Sequence, residues 1–184
     1  MFQSTVRYDQ GSGIPGEIAY DGPHRAEPGI LAAAGTVGNV FSEDPAKPGF
    51  WSPGTQANAV RFALLTTPKQ YAAFGTQAGG PLAPTMTLPA NAEGEFTSMG
   101  QIFVLSSNAG GASASKPGDL VYFNNTTGLI VTAAPGAAAP ATSTLLPGAV
   151  VAPLPGGNRG LTPVTPSLIV VTMNGPFGFP PAAP

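Results

Sequence analysis

The sequence predicts an all-β fold, a small β-barrel or sandwich with an extended N-terminal arm and one short helical connector. First, 25 glycines and 22 prolines in 184 residues interrupt the chain too often for long helices. Second, 42% of the residues are hydrophobic and 9% are charged, which is the opposite of the balance found in disordered chains. Third, short runs rich in β-branched and aromatic residues recur between the turns. The length suits one domain with arms.

Residues 1–58 contain no long periodic run and are cut repeatedly by glycine and proline. Residues 2–8 and 14–20 alternate between polar and apolar side chains, which is typical of short strands. Asp21-Gly22-Pro23 then predicts a turn. We therefore interpret residues 1–58 as an extended arm with short strands.

Residues 59–175 hold the predicted barrel or sandwich core. The predicted core strands are residues 61–66, 98–105, 120–123, 129–132 and 168–173. In residues 98–105 one face carries Met99, Phe103 and Leu105, and the other carries Ile102 and Val104, so both faces are apolar. Such a strand indicates a closed barrel or sandwich whose outer face is covered by an arm or a second subunit.

Local turn chemistry fixes the connections. Lys116-Pro117-Gly118-Asp119 predicts a type II turn, because proline presets the second position and glycine accepts the positive φ of the third. Asn124–Gly128 predicts a five-residue hairpin loop. Residues 67–75 predict the helical connector, with Thr67 as cap and Gly75 as stop. Residues 133–142, nearly all alanine and proline, predict a surface loop, and residues 176–184 a proline-rich tail.

The charge is low and unevenly placed. Ten of the sixteen charged side chains lie between Arg7 and Arg61, and only Arg159 follows Asp119. A surface with so little charge indicates coverage by protein partners. The net charge is −2 with no basic cluster, so we expect no direct nucleic-acid partner. Prolines break the uncharged stretch of residues 120–158, so we expect no membrane segment.

Motifs for nucleotide binding and catalysis are weak. Gly11–Gly16 matches the glycine spacing of a dinucleotide-binding loop, but Pro15 interrupts it and no helix follows, so we interpret it as a glycine turn. His24, the single histidine, would have to serve any classical triad, and we interpret it as an interface hydrogen-bonding group. The chain has no cysteine, so it can form neither a disulfide nor a thiolate metal site. Its N-terminus has no apolar signal segment, so we expect synthesis in the cytoplasm.

The acidic pairs Glu43-Asp44 and Glu93/Glu95 offer oxygen ligands for calcium, or carboxylates for acid–base work. No calcium-loop spacing is present, and we interpret these side chains as solvated loop charges. The sequence therefore predicts no catalytic residue, no cofactor site and no metal site.

Two aromatic groups stand beside glycine and proline: Phe50-Trp51 and the Pro176–Pro181 segment with Phe177 and Phe179. Such aromatics either stack on sugars or bases, or fill a pocket on a neighbouring subunit. The low charge favours the second interpretation.

Residues 13–26, with Pro28 just after them, resemble the opening of the structural cement, or capsid decoration, proteins of tailed bacteriophages. Further stretches keep the same order along the chain, whereas the loop from Ala133 and the tail after Gly175 lie outside the resemblance. These stretches are residues 38–41, 62–75 with Pro68-Lys69 and Tyr71, 84–100, 118–128 and 146–148.

The resemblance implies a non-enzymatic protein without cofactors that binds the outer surface of an assembled phage head and bridges major capsid subunits. Its expected partners are the major capsid protein and itself, as a dimer or trimer, after synthesis in the bacterial host cytoplasm. The predicted contact residues are Val6, Tyr8, Ile14, Glu17, Ile18, Tyr20, His24, Arg25, Phe50, Trp51, Phe177 and Phe179. The alternatives are a carbohydrate- or receptor-binding β module of a virion fibre or tail and, third, an enzyme using His24 or a carboxylate pair.

Overall fold

The computed structural model describes residues 15–19, 22–57, 59, 61–66, 86–108, 114–153 and 167–174. Every regular element in this part of the chain is a β-strand. The predicted helical connector at residues 67–75, the tail at 176–184 and residues 1–14 of the arm lie outside it. The strands are β1 Arg25–Leu31, β2 Gly35–Thr36, β3 Val40–Glu43, β4 Phe50–Pro53, β5 Phe62–Thr66, β6 Thr87–Leu88, β7 Glu93–Ser106, β8 Leu120–Asn124, β9 Ile130–Ala133, β10 Ser143–Ala152 and β11 Ser167–Asn174.

Nine strands form one sheet that closes on itself. The order is β1-β4-β3-β5-β7-β11-β10-β8-β9, and both end strands, β1 and β9, also pair with β7. The sheet therefore contains two closed rings that share β7. We call β1-β4-β3-β5-β7 the first ring and β7-β11-β10-β8-β9 the second ring. The all-β class predicted from the sequence is confirmed, and of the predicted alternatives, barrel or sandwich, the structure forms a closed barrel.

The 14-residue length of β7 allows it to belong to both rings. Its first half pairs with β1 and β5, with Ile30 opposite Glu93 and Leu64 opposite Thr97. Its second half pairs with β11, with Val170 opposite Phe103. One strand thus forms a wall of two barrels.

Each ring encloses its own hydrophobic core, and β3 and β5 lie between the two cores. Phe41 and Leu65 pack with Trp51 and Phe96 in the first core. Their neighbours in sequence on the opposite faces of the same strands, Val40 and Leu64, pack into the second core. Because successive side chains of a strand point to opposite faces, a strand between two cores must be apolar on both. All five residues of β5 are buried for this reason.

The two predicted faces of residues 98–105 also separate as expected. Ile102 and Val104 belong to the second core. Phe103 lies on the outer face, where it packs with Val170, Ala152 and the half-buried Ala19. A residue of the N-terminal segment therefore covers part of this outer face.

The described residues of the predicted arm are hydrogen-bonded into the sheet. Residues 15–19, which we call the N-terminal segment, run along the edge of β7 that β11 leaves free. Gly16 N donates to Phe103 O (2.7 Å), Phe103 N donates to Glu17 O (2.9 Å) and Ala19 N donates to Gln101 O (2.7 Å). Residues 25–53 then supply β1 to β4, so this region builds most of the first ring.

The predicted hairpin loop Asn124–Gly128 connects β8 to β9 and joins the rings. Gly128 N donates to Asn124 O (2.9 Å), and Gly128 has φ +72°. Val40 N donates to Gly128 O (2.8 Å), while Gly54 N donates to Val40 O (3.0 Å). The predicted turn at residues 116–119 is also present, with Gly118 at φ +90° and Asp119 N bonded to Lys116 O (3.0 Å).

A side chain completes the closure of the second ring. The β7–β9 ladder has a single register pair, Ser106 opposite Ile130. Beyond it, Asn108 Oδ1 accepts from Thr132 N (2.7 Å) and Asn108 Nδ2 donates to Thr132 O (2.8 Å), as a neighbouring strand would. Ser106 Oγ also donates to Asn108 Oδ1 (2.9 Å) and holds the amide in place. The buried Thr132 backbone is thereby satisfied.

Candidate interaction surface

Six of the twelve predicted contact residues lie in the described part of the chain: Glu17, Ile18, His24, Arg25, Phe50 and Trp51. The other six, Val6, Tyr8, Ile14, Tyr20, Phe177 and Phe179, lie outside it.

The N-terminal segment presents one polar and one apolar predicted contact. Glu17 is exposed, although its backbone carbonyl is bound to β7. Ile18 is half-buried opposite Ile102 in an antiparallel bridge. Their backbone is held by the barrel, so only side chains from this segment are available to a partner.

His24 and Arg25 lie side by side where the chain enters β1, and both are exposed. The Nδ1 atom of His24 lies 3.2 Å from Gly22 O. Arg25 is opposite Met99, and the register shifts between Arg25 and Ala26, which marks a β-bulge. In the described part of the chain, no three His, Asp or Glu side chains converge to form a metal site.

The structure separates the two aromatics that the sequence places together. Phe50 is half-buried, with the Lys47 Nζ atom 3.4 Å from its ring centroid. Trp51 is 3% exposed and stacks on Phe96, with ring centroids 4.6 Å apart. Because alternate strand residues point to opposite faces, only one of the two can face outward. The structure assigns Trp51 to the core, where it is unavailable to a partner subunit or a sugar.

Glu43, which the sequence predicts to be a solvated charge, belongs to an ion-pair cluster around Arg61. Arg61, just before β5, pairs with Glu27 of β1 and, at 2.7 Å, with Glu43 of β3. The Glu43 side chain is 11% exposed and also accepts from Gly49 N (2.8 Å). Glu43 is therefore a structural group that ties strands of the first ring together. The interpretation of Glu43 as a solvated loop charge is wrong.

Charge divides between the two rings. Residues 120–153 and 167–174, which supply four strands of the second ring, contain no charged residue. The loop between β9 and β10 adds exposed alanines and prolines to this uncharged half. Most charged side chains of the described residues belong to the first ring or the N-terminal segment. These are Glu17, Arg25, Glu27, Glu43, Asp44, Lys47, Arg61, Glu93 and Glu95.

An open groove of about 620 Å³ lies between the entry to β1 and the second ring. Its walls are residues 22–24, 99–101, 152–153 and 172–173, none of which is Asp, Glu, Lys or Arg. Sequence reasoning found His24 but missed Met99 and Met173 as lining residues. Gly100 lies opposite Met173 in the β7–β11 register, and this long-range pairing has no local sequence signal.

In the described part of the chain no helix is long and apolar enough to cross a membrane. A search of curated proteins gave no match. A solved structure described as "The capsid of Myoviridae Phage XM1" contains a chain with a TM-score of 0.56 and 15% identity, covering 94% of this chain and 97% of the other. At this identity the similarity concerns the fold.

The family comparison covers nearly the whole chain. Residues 2–166 match the model of a family described as structural cement protein (E217 gp24/Pam3 gp6). The match includes the N-terminal segment, both rings up to β10 and the groove residues up to Pro153. The chain therefore belongs to the phage structural cement protein family.

Proposed function

We propose that this protein binds the outer surface of an assembled phage head, contacts major capsid subunits and stabilises the contacts between them. The family match over residues 2–166 is the observation that carries the proposal, because cement proteins are structural proteins of the capsid. We further propose that the protein acts as a dimer or trimer and without catalysis.

The N-terminal segment supports a specific mode of attachment. Pro15–Ala19 and Arg25–Leu31 follow the edge of β7, which gives residues 1–14 a fixed base on the barrel. An extended chain of this kind binds a groove or a sheet edge of a neighbour through main-chain hydrogen bonds. We propose that Val6, Tyr8, Ile14 and Tyr20 contact the capsid.

The exposed side chains beside this base supply the remaining contacts. Glu17, His24 and Arg25 are exposed near β7, and Ile18 is half-buried among them. Phe50 lies half-buried on β4 of the first ring. The N-terminal segment and the charged first ring would then face the capsid, where polar contacts fix orientation and register.

Stabilisation follows from mass action. A protein that binds only the assembled shell stabilises it by about 2.7 kcal/mol per site when its free concentration is a hundred times its Kd. Repetition over a symmetric shell multiplies modest single contacts through avidity.

The test is co-sedimentation with purified heads that lack this protein. Full-length protein should bind and raise the temperature at which the heads disassemble. Deletion of residues 1–14, which leaves the hydrogen-bonded segment from Pro15 intact, should lower binding at least about tenfold, the loss expected when roughly 1.4 kcal/mol of contact is removed. The deletion should not change the unfolding temperature of the free protein.

A matched control is Lys116→Ala, an exposed charge at the turn before β8 in the second ring, which should bind as the wild type does. Undiminished binding of the deletion variant would refute the arm model. Failure of the full-length protein to bind any head would refute the proposed function itself.

A further inference from the structure

The groove beside His24 has the dimensions and chemistry of a peptide-binding site. Its volume of about 620 Å³ is within the range of ligand sites. Met99 contributes a polarisable thioether, which adapts to irregular ligands and makes favourable contacts with aromatic rings. Met173 also borders the groove, but it is 4% exposed and packs in the second core. Pro23 and Pro153 add rigid apolar surface.

One polar group in the lining is suited to orient a peptide. When the Nδ1 atom of His24 donates to Gly22 O, the Nε2 atom is an acceptor for a ligand N–H. The lining residues carry no Asp, Glu, Lys or Arg, so a charged ligand would lose hydration without gaining an ion pair. The expected ligand is therefore an uncharged segment with aromatic side chains.

The sequence itself contains such a segment directly after β11, which lines the groove. Residues 175–184 read Gly-Pro-Phe-Gly-Phe-Pro-Pro-Ala-Ala-Pro, with no charge and two phenylalanines. They follow directly after Asn174, and the preceding Thr172 and Met173 line the groove. Phe177 lies three residues beyond Asn174, a span of up to about 10 Å in an extended chain.

We propose that the groove is the binding site of the chain's own residues 175–184, with Phe177 and Phe179 as its anchors. The short connection from Asn174 to Phe177 favours this segment over a free peptide or another copy of the chain. It gives the segment an effective concentration at the groove in the millimolar range. The two phenylalanines that the sequence predicts as contact residues are thereby assigned to this groove.

Binding of residues 175–184 in the groove would connect two parts of the molecule. Residues 22–24, which lead into β1, line the groove together with residues of β7, β10 and β11. A segment lying in the groove would contact both parts and fix the entry to β1 against the second ring. This inference concerns the free protein and does not depend on capsid binding.

The four methionines allow a direct test in the full-length protein. With ¹³C-methyl methionine labelling, the Phe177→Ala/Phe179→Ala variant should shift the NMR signal of Met99, because the phenyl rings leave the groove. Met86, which packs against the first core, is the internal control and should not move. An unchanged Met99 signal would overturn the proposal.

Two additions to the labelled variant, a peptide and unlabelled wild-type protein, test which segment occupies the groove. A peptide of residues 175–184 with blocked ends should restore the Met99 signal. Labelled wild-type protein should need at least about tenfold more peptide for any change, because its own segment competes. Unlabelled wild-type protein should not restore the signal of the variant. Restoration of the signal by the wild-type protein would mean that residues 175–184 of one copy bind the groove of another. Failure of the peptide to restore the signal would mean that the groove does not recognise this segment. Either result overturns the proposal.

Discussion

Gly128 lies at the junction of the two rings, where the backbone leaves no room for a side chain. A Cβ atom at this position would be 2.0 Å from Val40 O and 3.0 Å from Gly54 N. The same two partners make the junction hydrogen bonds, Val40 N to Gly128 O (2.8 Å) and Gly54 N to Val40 O (3.0 Å). Gly128→Ala therefore forces backbone to move at the point where the rings meet.

The expected loss of unfolding free energy has two main contributions. A positive φ costs a non-glycine residue about 1–2 kcal/mol, and Gly128 has φ +72°. Displacing the Val40 carbonyl weakens two hydrogen bonds, each contributing about 0.5–1.5 kcal/mol net. We expect Gly128→Ala to lower the free energy of unfolding by about 3–5 kcal/mol, summing these terms and the packing strain.

Gly136→Ala is the matched control. Gly136 has φ +81°, but no heavy atom lies within 4 Å of its Cβ position, so only the φ term of about 1–2 kcal/mol applies. Urea unfolding followed by circular dichroism measures both variants. In thermal unfolding each kcal/mol lowers Tm by about 2–4 °C for a chain of this size. Equal losses in the two variants would refute the tight junction between the rings.

Two further substitutions test closure of the sheet. Asn108→Ala removes both hydrogen bonds to the buried Thr132 backbone and should destabilise the protein by about 2–4 kcal/mol in urea unfolding. The control Thr126→Ala, at an exposed hairpin position, should stay within about 0.5 kcal/mol, and a similar loss in both variants would contradict the closure role. Arg61→Ala leaves the 11% exposed Glu43 without its ion pair and should cost about 1–3 kcal/mol, whereas no measurable loss would make the cluster incidental.

Features encoded by a few neighbouring residues could be predicted from the sequence. The turn at residues 116–119 and the hairpin loop at 124–128 follow from where proline presets φ and glycine accepts positive φ. The apolar faces of residues 98–105 correctly indicated a closed barrel with a covered outer face. That β7 forms part of two rings was not predictable, because its length says nothing about which strands pair with each half.

The exposure of the predicted contact residues was also only partly predictable from the sequence. The sequence placed His24 and Arg25 outside, and the structure finds both exposed. It also grouped Phe50 with Trp51, although strand alternation sends Trp51 into the first core. Which of two adjacent aromatics faces inward depends on the strand's register, and the register is set by partners far away in sequence.

The sequence by itself determined the all-β class, the local turns, the shortage of charge and the resemblance to cement proteins. The tertiary structure decided the two rings around separate cores, the pairing of Arg61 with Glu27 and Glu43, and the groove between residues 22–24 and the second ring. The physical reason is that turn conformation depends on neighbouring residues. Strand order depends instead on which apolar faces bury one another. The loops between the strands do not fix that choice, because the entropy of closing a loop changes only slowly with its length.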